Sequence, residues 1–314
     1  MRFKIPIPIL MLGALSGCAT YAPKPLPDQV SFPQSVASIT LDPASLPFRN
    51  LSSHPFNPAD GLDMDEVAML AVANNPQLKQ ARDALGIARA QSFAAGLLPD
   101  PQLGVTADHP TNGTAGNTNG FNLNLNYDVN ALLQRSSRKG AAQAEMQKVN
   151  LDLLWQEWQV VSQARLLFTQ LSAQTALMTQ LQISRTLLAD RYQNTQKALS
   201  VGNVTLDMAS ADLIALQNVE RQINDLEIKR LKNRASLNGL LGLASTAPLQ
   251  LVGEPYAPLL DAAAVQKNLV ERLDQRPDML ALQAGYHSQE EKFRAVVLAQ
   301  FPSLNVGLTR ARDT

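Results

Sequence analysis

From Ala141 to Val201 the chain contains neither glycine nor proline, and the segment is rich in Leu, Gln, Ala and Arg. Few folds can accommodate such a stretch. Nothing in it breaks a helix, and a continuous helix of this length measures about 90 Å at 1.5 Å per residue. That far exceeds the helices of globular domains. Apolar residues recur at sevenfold spacing: Leu154, Val161 and Phe168 on one line, Leu153, Val160 and Leu167 beside it, then Leu171, Met178 and, past Arg185, Tyr192. Two adjacent lines form a stripe wide enough to touch two neighbours in coiled-coil fashion. Trp155 and Trp158 are read as core or seam residues of this stripe. The run SVGNVT then ends the helix, with Gly202 suited to a C′ position and Thr205 able to cap the next helix. That second helix, TLDMASADLIALQNVERQINDLEIKRLKNRASLN, is roughly 50 Å long. So short a turn forces the two helices to lie antiparallel.

The chain also repeats itself. An offset of 201 carries Pro76 onto Pro277, Pro101 onto Pro302, Leu103 onto Leu304 and Val105 onto Val306. NNPQLKQARDAL and QRPDMLALQAGY each open a helix with proline in the first turn, where its missing N–H costs nothing. Each helix reaches a second proline and then an alternating segment, PQLGVTAD or PSLNVGLT. Leu103, Val105 and Ala107 share one face and Gln102, Thr106 and Asp108 the other; Leu304, Val306 and Leu308 likewise oppose Ser303, Asn305 and Thr309. After the first strand, the turn-forming cluster TNGTAGNTNG leads to FNLNLNY, where Phe121, Leu123, Leu125 and Tyr127 alternate with Asn122, Asn124 and Asn126. Residues 101–110 and 119–128 thus form a β-hairpin whose arms are near the length of a tilted transmembrane strand. The same alternation also suits a half-buried hairpin in a soluble sheet.

The N-terminus has the order of parts of a secretory signal: Arg2 and Lys4, an apolar run, then small residues. Leu15-Ser16-Gly17-Cys18 resembles a bacterial lipobox, which implies cleavage before Cys18 and a lipid on its thiol; the alternative is an ordinary signal peptide with an incidental cysteine. Cys18 is the only cysteine, so an intramolecular disulfide is impossible. Ala19, where an aspartate can mark inner-membrane retention, points by resemblance to the outer membrane. Residues 21–58 are Pro- and Ser-rich without helical periodicity and read as an extended linker or wrapping arm. The 27 basic and 27 acidic residues balance, which gives no electrostatic argument for nucleic acid as a partner. No apolar run approaches twenty residues, so a crossing of the membrane has to be made by strands.

Helix, strand, turn, strand, very long helix, tight turn, shorter helix and a restart of the same order together resemble the TolC-like outer-membrane efflux family. The residues that carry the resemblance are NNPQL, LLPDPQL, LNGLLGL at 237–243 with Pro248-Leu249, QRPDMLAL and AQFPSLNVG, and they cover about 60–314. The resemblance implies a mainly α fold with a transmembrane β-hairpin. In it, a long antiparallel helical hairpin lines an α-barrel tunnel, and the strands join a trimeric outer-membrane β-barrel. The expected segments are a signal peptide at 1–17, a lipid-anchored arm at 18–60, a first repeat at 61–255 and an incomplete second repeat at 256–314. Within the first repeat, the hairpin falls at 101–128, the long helix at 132–201 and its partner at 205–243. The chain ends at Thr314, one strand into the second repeat, and is read as a C-terminally truncated or incompletely represented member.

By the same resemblance, Asn122, Asn124 and Asn126 face a water-filled lumen and the alternate residues face lipid. The SVGNVT turn is the periplasmic tip that meets an adaptor, through Gly202, Thr205 and Asp207. Met208 stands where the family commonly has an acidic residue, and Asp207 lies one position early. The implied partners are two further copies of the chain, a periplasmic adaptor and an inner-membrane transporter, with no cofactor beyond the lipid on Cys18. An enzyme is not indicated: His54, His109 and His287 are dispersed, and phosphate-loop and nucleophile-elbow motifs are missing. The acidic pairs Asp63/Asp65 and Glu290/Glu291 suit a helix start and a solvated helix face, and the scattered methionines show no soft-metal relay. The function read from these features is a passive exit duct for small solutes in a tripartite efflux system. The alternative is a lipid-anchored periplasmic coiled-coil protein that conducts nothing.

Overall fold

The computed structural model describes residues 32–111, 118–255, 261–263, 265–266, 272–300, 302 and 304–313. The chain divides into Met1–Phe32 and Pro33–Thr314. The second unit is built from α1 (Met64–Asn74), α2 (Pro76–Ala95), β1 (Gln102–Asp108), β2 (Gly120–Asp128), α3 (Val129–Ser200), α4 (Leu206–Leu240), α5 (Pro277–Leu298) and β3 (Asn305–Asp313).

The helix expected over 132–201 runs unbroken for 72 residues, about 108 Å. It starts earlier than its composition suggests, because β2 passes into α3 without a loop. Asp128 ends the strand and caps the helix, its Oδ1 accepting from the Ala131 N–H at 3.0 Å. Gly140 lies inside the helix and does not interrupt it. A Cβ there would meet Glu291 of α5 at 3.3 Å, so the position serves close helix contact. The partner helix ends at Leu240, short of the expected 243, where the backbone turns through Leu241 and Gly242.

Helices α1, α2, α4 and α5 each pack against α3. The main core gathers around its middle, where Leu153, Val160, Ala164, Leu167, Phe168 and Leu171 meet Val67 and Leu70 of α1, Leu78 and Leu85 of α2, and Leu237 of α4. Below Met178 the burial pattern thins to the seam with α4: Leu181, Ser184, Leu188, Ala189, Tyr192, Thr195, Ala198 and Leu199 are half-buried and the rest of α3 to Ser200 is exposed. The tryptophans depart from the expected seam role. Their rings stack at 5.1 Å with 11° between planes, Arg276 covers the Trp155 ring at 4.9 Å, and Trp158 remains exposed.

The Pro-rich arm from residue 33 wraps onto this core through short turns at Val36–Ser38, Pro43–Ser45 and Arg49–Ser52. Leu51 is fully buried and Leu46 nearly so, against Ala68, Met69, Val72 and Val161. Asp63 caps α1 in a reciprocal box with Glu66, accepting from the Asp65 and Glu66 N–H groups while Glu66 accepts from the Asp63 N–H.

The asparagines of NNPQL tie three helices together. Asn75 Oδ1 caps α2 by accepting from Gln77 and Leu78, while its Nδ2 donates to Leu240 O at 2.9 Å; Asn74 Nδ2 donates to Leu241 O at 2.8 Å. On the other side of the joint, buried Asn238 of LNGLLGL donates to Ser245 O and Ala247 O. Two segments far apart in sequence thereby satisfy carbonyls that a helix end leaves open.

Candidate functional site

The strands form one antiparallel sheet in the order β1-β2-β3. Because directly opposed residues point to the same face, the register defines both surfaces. Leu103, Leu125 and Leu308 form one rung; Val105 and Leu123 continue it one step toward the β1–β2 turn, and Tyr127 pairs with Val306 one step toward the helices. Leu103, Val105, Phe121, Leu123, Leu125, Val306 and Leu308 are all exposed, from 37% for Leu123 to 78% for Leu308. No element of the described chain covers this face.

On the reverse face Asn126 lies between Gln102 and Gly307, Asn124 between Gly104 and Thr309, and Asn122 between Thr106 and Ala311. The three asparagines singled out by their alternation therefore share one side of the sheet with neutral polar and small residues. Gly104 and Gly307 have a specific use there. A Cβ on Gly104 would collide with the Asn124 amide, and one on Gly307 with the Asn126 amide. Asn124 and Asn126 each lean over a cross-strand glycine, so these two amides lie low against the sheet instead of standing away from it.

Arg135 braces the junction below the sheet. Its guanidinium donates to Gly96 O at 3.0 Å through Nε and at 2.5 Å through a terminal nitrogen, closing the C-terminal end of α2. Nearby α3 packs against α5, and the small residues Ala141 and Ala144 of α3 and Ala281, Ala284 and Ser288 of α5 are all buried. Buried Ser288 donates to Ala141 O at 3.0 Å and to Glu145 at 3.2 Å, and Glu145 also faces Lys148 at 3.2 Å and Lys292 at 3.6 Å. Burial pushes the Glu145 carboxyl upward, but the Lys148 hydrogen bond and charge, the Ser288 hydroxyl and the Lys292 charge outweigh it and hold the carboxyl below its ordinary value.

At the far end of α3, Gly202 has φ of 76°, the left-handed conformation expected for a helix stop, with the Asn203 N–H bonded back to Ala198 O at 2.9 Å. Thr205 occupies the N-cap position of α4 with extended backbone, yet its hydroxyl makes no capping hydrogen bond. The expected cap is thus one of backbone geometry alone. Asp207 lies exposed in the first turn of α4, a favourable place for negative charge. Around it Val201, Leu206 and Met208 are also exposed. Higher on this hairpin, Asp212 of α4 is buried and faces Arg191 and Thr195 of α3, an arrangement with no local sequence signal.

Cys18 and the signal segment lie outside the described residues. Of the histidines, His54 approaches Asp63 at 3.3 Å and His109 bonds Asn119 at 3.1 Å, in different parts of the chain. Among the described residues no group of His, Cys, Asp and Glu is arranged to hold a metal, and no helix is long and apolar enough to cross a membrane.

No family model and no curated protein matches the chain. Solved structures do. The outer membrane protein VceC of Vibrio cholerae superposes with a TM-score of 0.63 at 14% identity, over 80% of this chain and 67% of that one. The outer-membrane channel OprN gives 0.65 at 15% identity, over 94% and 68%. The CmeC outer membrane channel of Campylobacter jejuni gives 0.61 at 17% identity, over 95% and 70%.

Proposed function

We propose that this chain, whose fold is that of the solved outer-membrane channels, acts as one protomer of an efflux channel, residing in the outer membrane of a Gram-negative bacterium, anchored by lipid on Cys18 and extending into the periplasm. The observation that carries this reading is the sheet: an exposed apolar face continuous across three strands, backed by uncharged amides and joined without a loop to a 72-residue helix. A water-filled barrel requires that pairing of faces. The proposed assembly is a homotrimer in which copies of the sheet close one barrel, since an open edge in lipid leaves backbone groups unsatisfied. Asn122, Asn124 and Asn126 line the lumen, where neutral amides let varied small solutes pass without tight binding. The turn with Gly202, Thr205 and Asp207 docks a periplasmic adaptor, which its exposed Val201, Leu206 and Met208 support. An inner-membrane transporter supplies the solute, and the duct itself is passive.

Leu123 and Asn124 are adjacent in sequence but on opposite faces, so a matched pair of substitutions tests the reading. Leu123→Arg, on a rung between the outer interface and the midplane, is expected to impair outer-membrane assembly, at a cost between the roughly 0–1 kcal/mol of the interface and the roughly 2–4 kcal/mol of the midplane. Asn124→Arg is expected to assemble and to shift ion selectivity in planar bilayers. Equal tolerance of arginine at both positions refutes the channel and leaves the non-conducting coiled-coil protein.

A further inference from the structure

The apolar face of the sheet changes character at one corner. Arg310 is registered opposite Leu123, and Arg312 opposite Phe121. Both arginines therefore lie on the leucine side of β3, in continuation of Val306 and Leu308, and not among the asparagines. Both are exposed, and among the described residues neither takes part in an ion pair. Asp108, at the same end of the sheet, is registered with Gly120 and so belongs to the opposite face.

We propose that Arg310 and Arg312 form a binding site for the phosphate of an anionic lipid headgroup in the outer leaflet. This site rests on the reading of the sheet as membrane-inserted. Arg312 sits on the rung beside the β1–β2 turn, the end of the sheet away from the helices and therefore at the outer interface. Arg310 is two residues deeper, about 7 Å along the strand and about 5 Å in depth at the usual strand tilt. An arginine side chain spans that difference, so its aliphatic stem lies along apolar surface while the guanidinium rises to the headgroup layer. Two planar forks then converge on one level, and among the described residues no carboxylate forms an ion pair with either. Such forks recognise carboxylate and phosphate in bidentate fashion, and phosphate is the one that an anionic phospholipid headgroup presents. Leu308, Leu125 and Leu103 continue below as a surface for the acyl chains. Apolar contact and anionic capture are thus combined in a way that suits an amphiphile better than a soluble ion.

The test uses the full chain, purified in mild detergent and offered phosphatidic acid, phosphatidylcholine or inorganic phosphate, with retained lipid counted by native mass spectrometry. The wild type is expected to retain phosphatidic acid over phosphatidylcholine, and R310Q/R312Q to lose at least about tenfold in retention, partly restored in R310K/R312K. Equal retention by wild type and R310Q/R312Q overturns the site, as does equal retention of the two lipids. Displacement of the lipid by equimolar inorganic phosphate overturns it in favour of a soluble anion site. Failure of the membrane reading appears separately, as tolerance of Leu123→Arg; intact insertion with unchanged lipid retention removes the lipid site alone.

Discussion

Arg191 reaches across the helical hairpin to Asp212, its Nε 2.8 Å from the carboxylate. The arginine is largely exposed and the aspartate is nearly buried, and the second carboxylate oxygen accepts from Thr195 at 2.6 Å. This carboxylate clamps the lower hairpin, where apolar burial is thin and polar contacts hold a larger share of the seam.

Asp212→Ala is expected to lower local stability by about 1–2 kcal/mol, since it removes the Thr195 acceptor and a partly exposed ion pair. Amide exchange across residues 195–212 should accelerate about tenfold while the 153–171 core keeps its protection. Asp212→Asn, which retains an acceptor for Thr195, should show a smaller change. Unaltered exchange in the alanine variant removes the clamp.

Gly104→Val places a branched side chain where the Asn124 amide lies. Loss of about 1–3 kcal/mol in sheet stability is expected from the overpacking. Asn124→Gly in the same chain should recover most of it, so a double-mutant cycle read by thermal unfolding in detergent reports the coupling. Additive effects of the two substitutions contradict the nested geometry.

The α3–α5 contact has a definite pH dependence. The Glu145 carboxyl is held below its ordinary value, so its contribution is complete above the unfolded pKa, about 4.3. As pH falls through the lowered folded value, the contribution disappears. Glu145→Gln should flatten the acid limb of the unfolding curve below about pH 4, where protonated Glu and Gln are equivalent, and lower neutral stability modestly, since the charge-paired carboxylate is lost there. An acid limb identical to wild type assigns the sensitivity to other groups.

Arg82 donates to Glu157 at 2.7 Å and to Val72 O at 2.8 Å, and Glu157 is buried against the core. Arg82→Ala strands a buried carboxylate and an unpaired carbonyl; because the arginine is itself a third exposed, a cost of about 1–3 kcal/mol is expected. Chemical denaturation checks it. Arg82→Ala/Glu157→Leu should be more stable than the single arginine variant.

Local patterns carried the elements with regular periods. The sevenfold spacing around Leu153 and Val160 set the buried stripe of α3, and the period of two in FNLNLNY set the two faces of β2. The Pro76/Pro277 correspondence located α2 and α5. Contacts between distant positions left no such trace. Ser288 meets Glu145, Asn238 meets Ala247 and Asp212 meets Arg191 because packing brings their segments together, and nothing in the neighbouring residues selects those partners. Gly140 falls inside the expected helix, but its use, close contact with Glu291 of α5, shows only in the packing. Thr205 has a residue type that suits an N-cap, but its side chain makes no capping bond. The face of Arg310 and Arg312 follows only once β3 is registered against β2.

Mechanically, α3 behaves as a cantilever. Within one protomer its upper length is clamped by the core and by α5, and among the described residues its lower length, from Met178 to Gly202, packs against α4 alone. The deflection of a cantilever under a given load rises with the cube of its free span, here about 35 Å. A push delivered at Gly202 is therefore taken up as bending below Met178 before it reaches Asp128. Removing one heptad from each arm of the hairpin shortens the span by about 10 Å and stiffens it about threefold. The length of the unsupported helices thus sets the compliance of the tip, while the clamped region insulates the sheet from it.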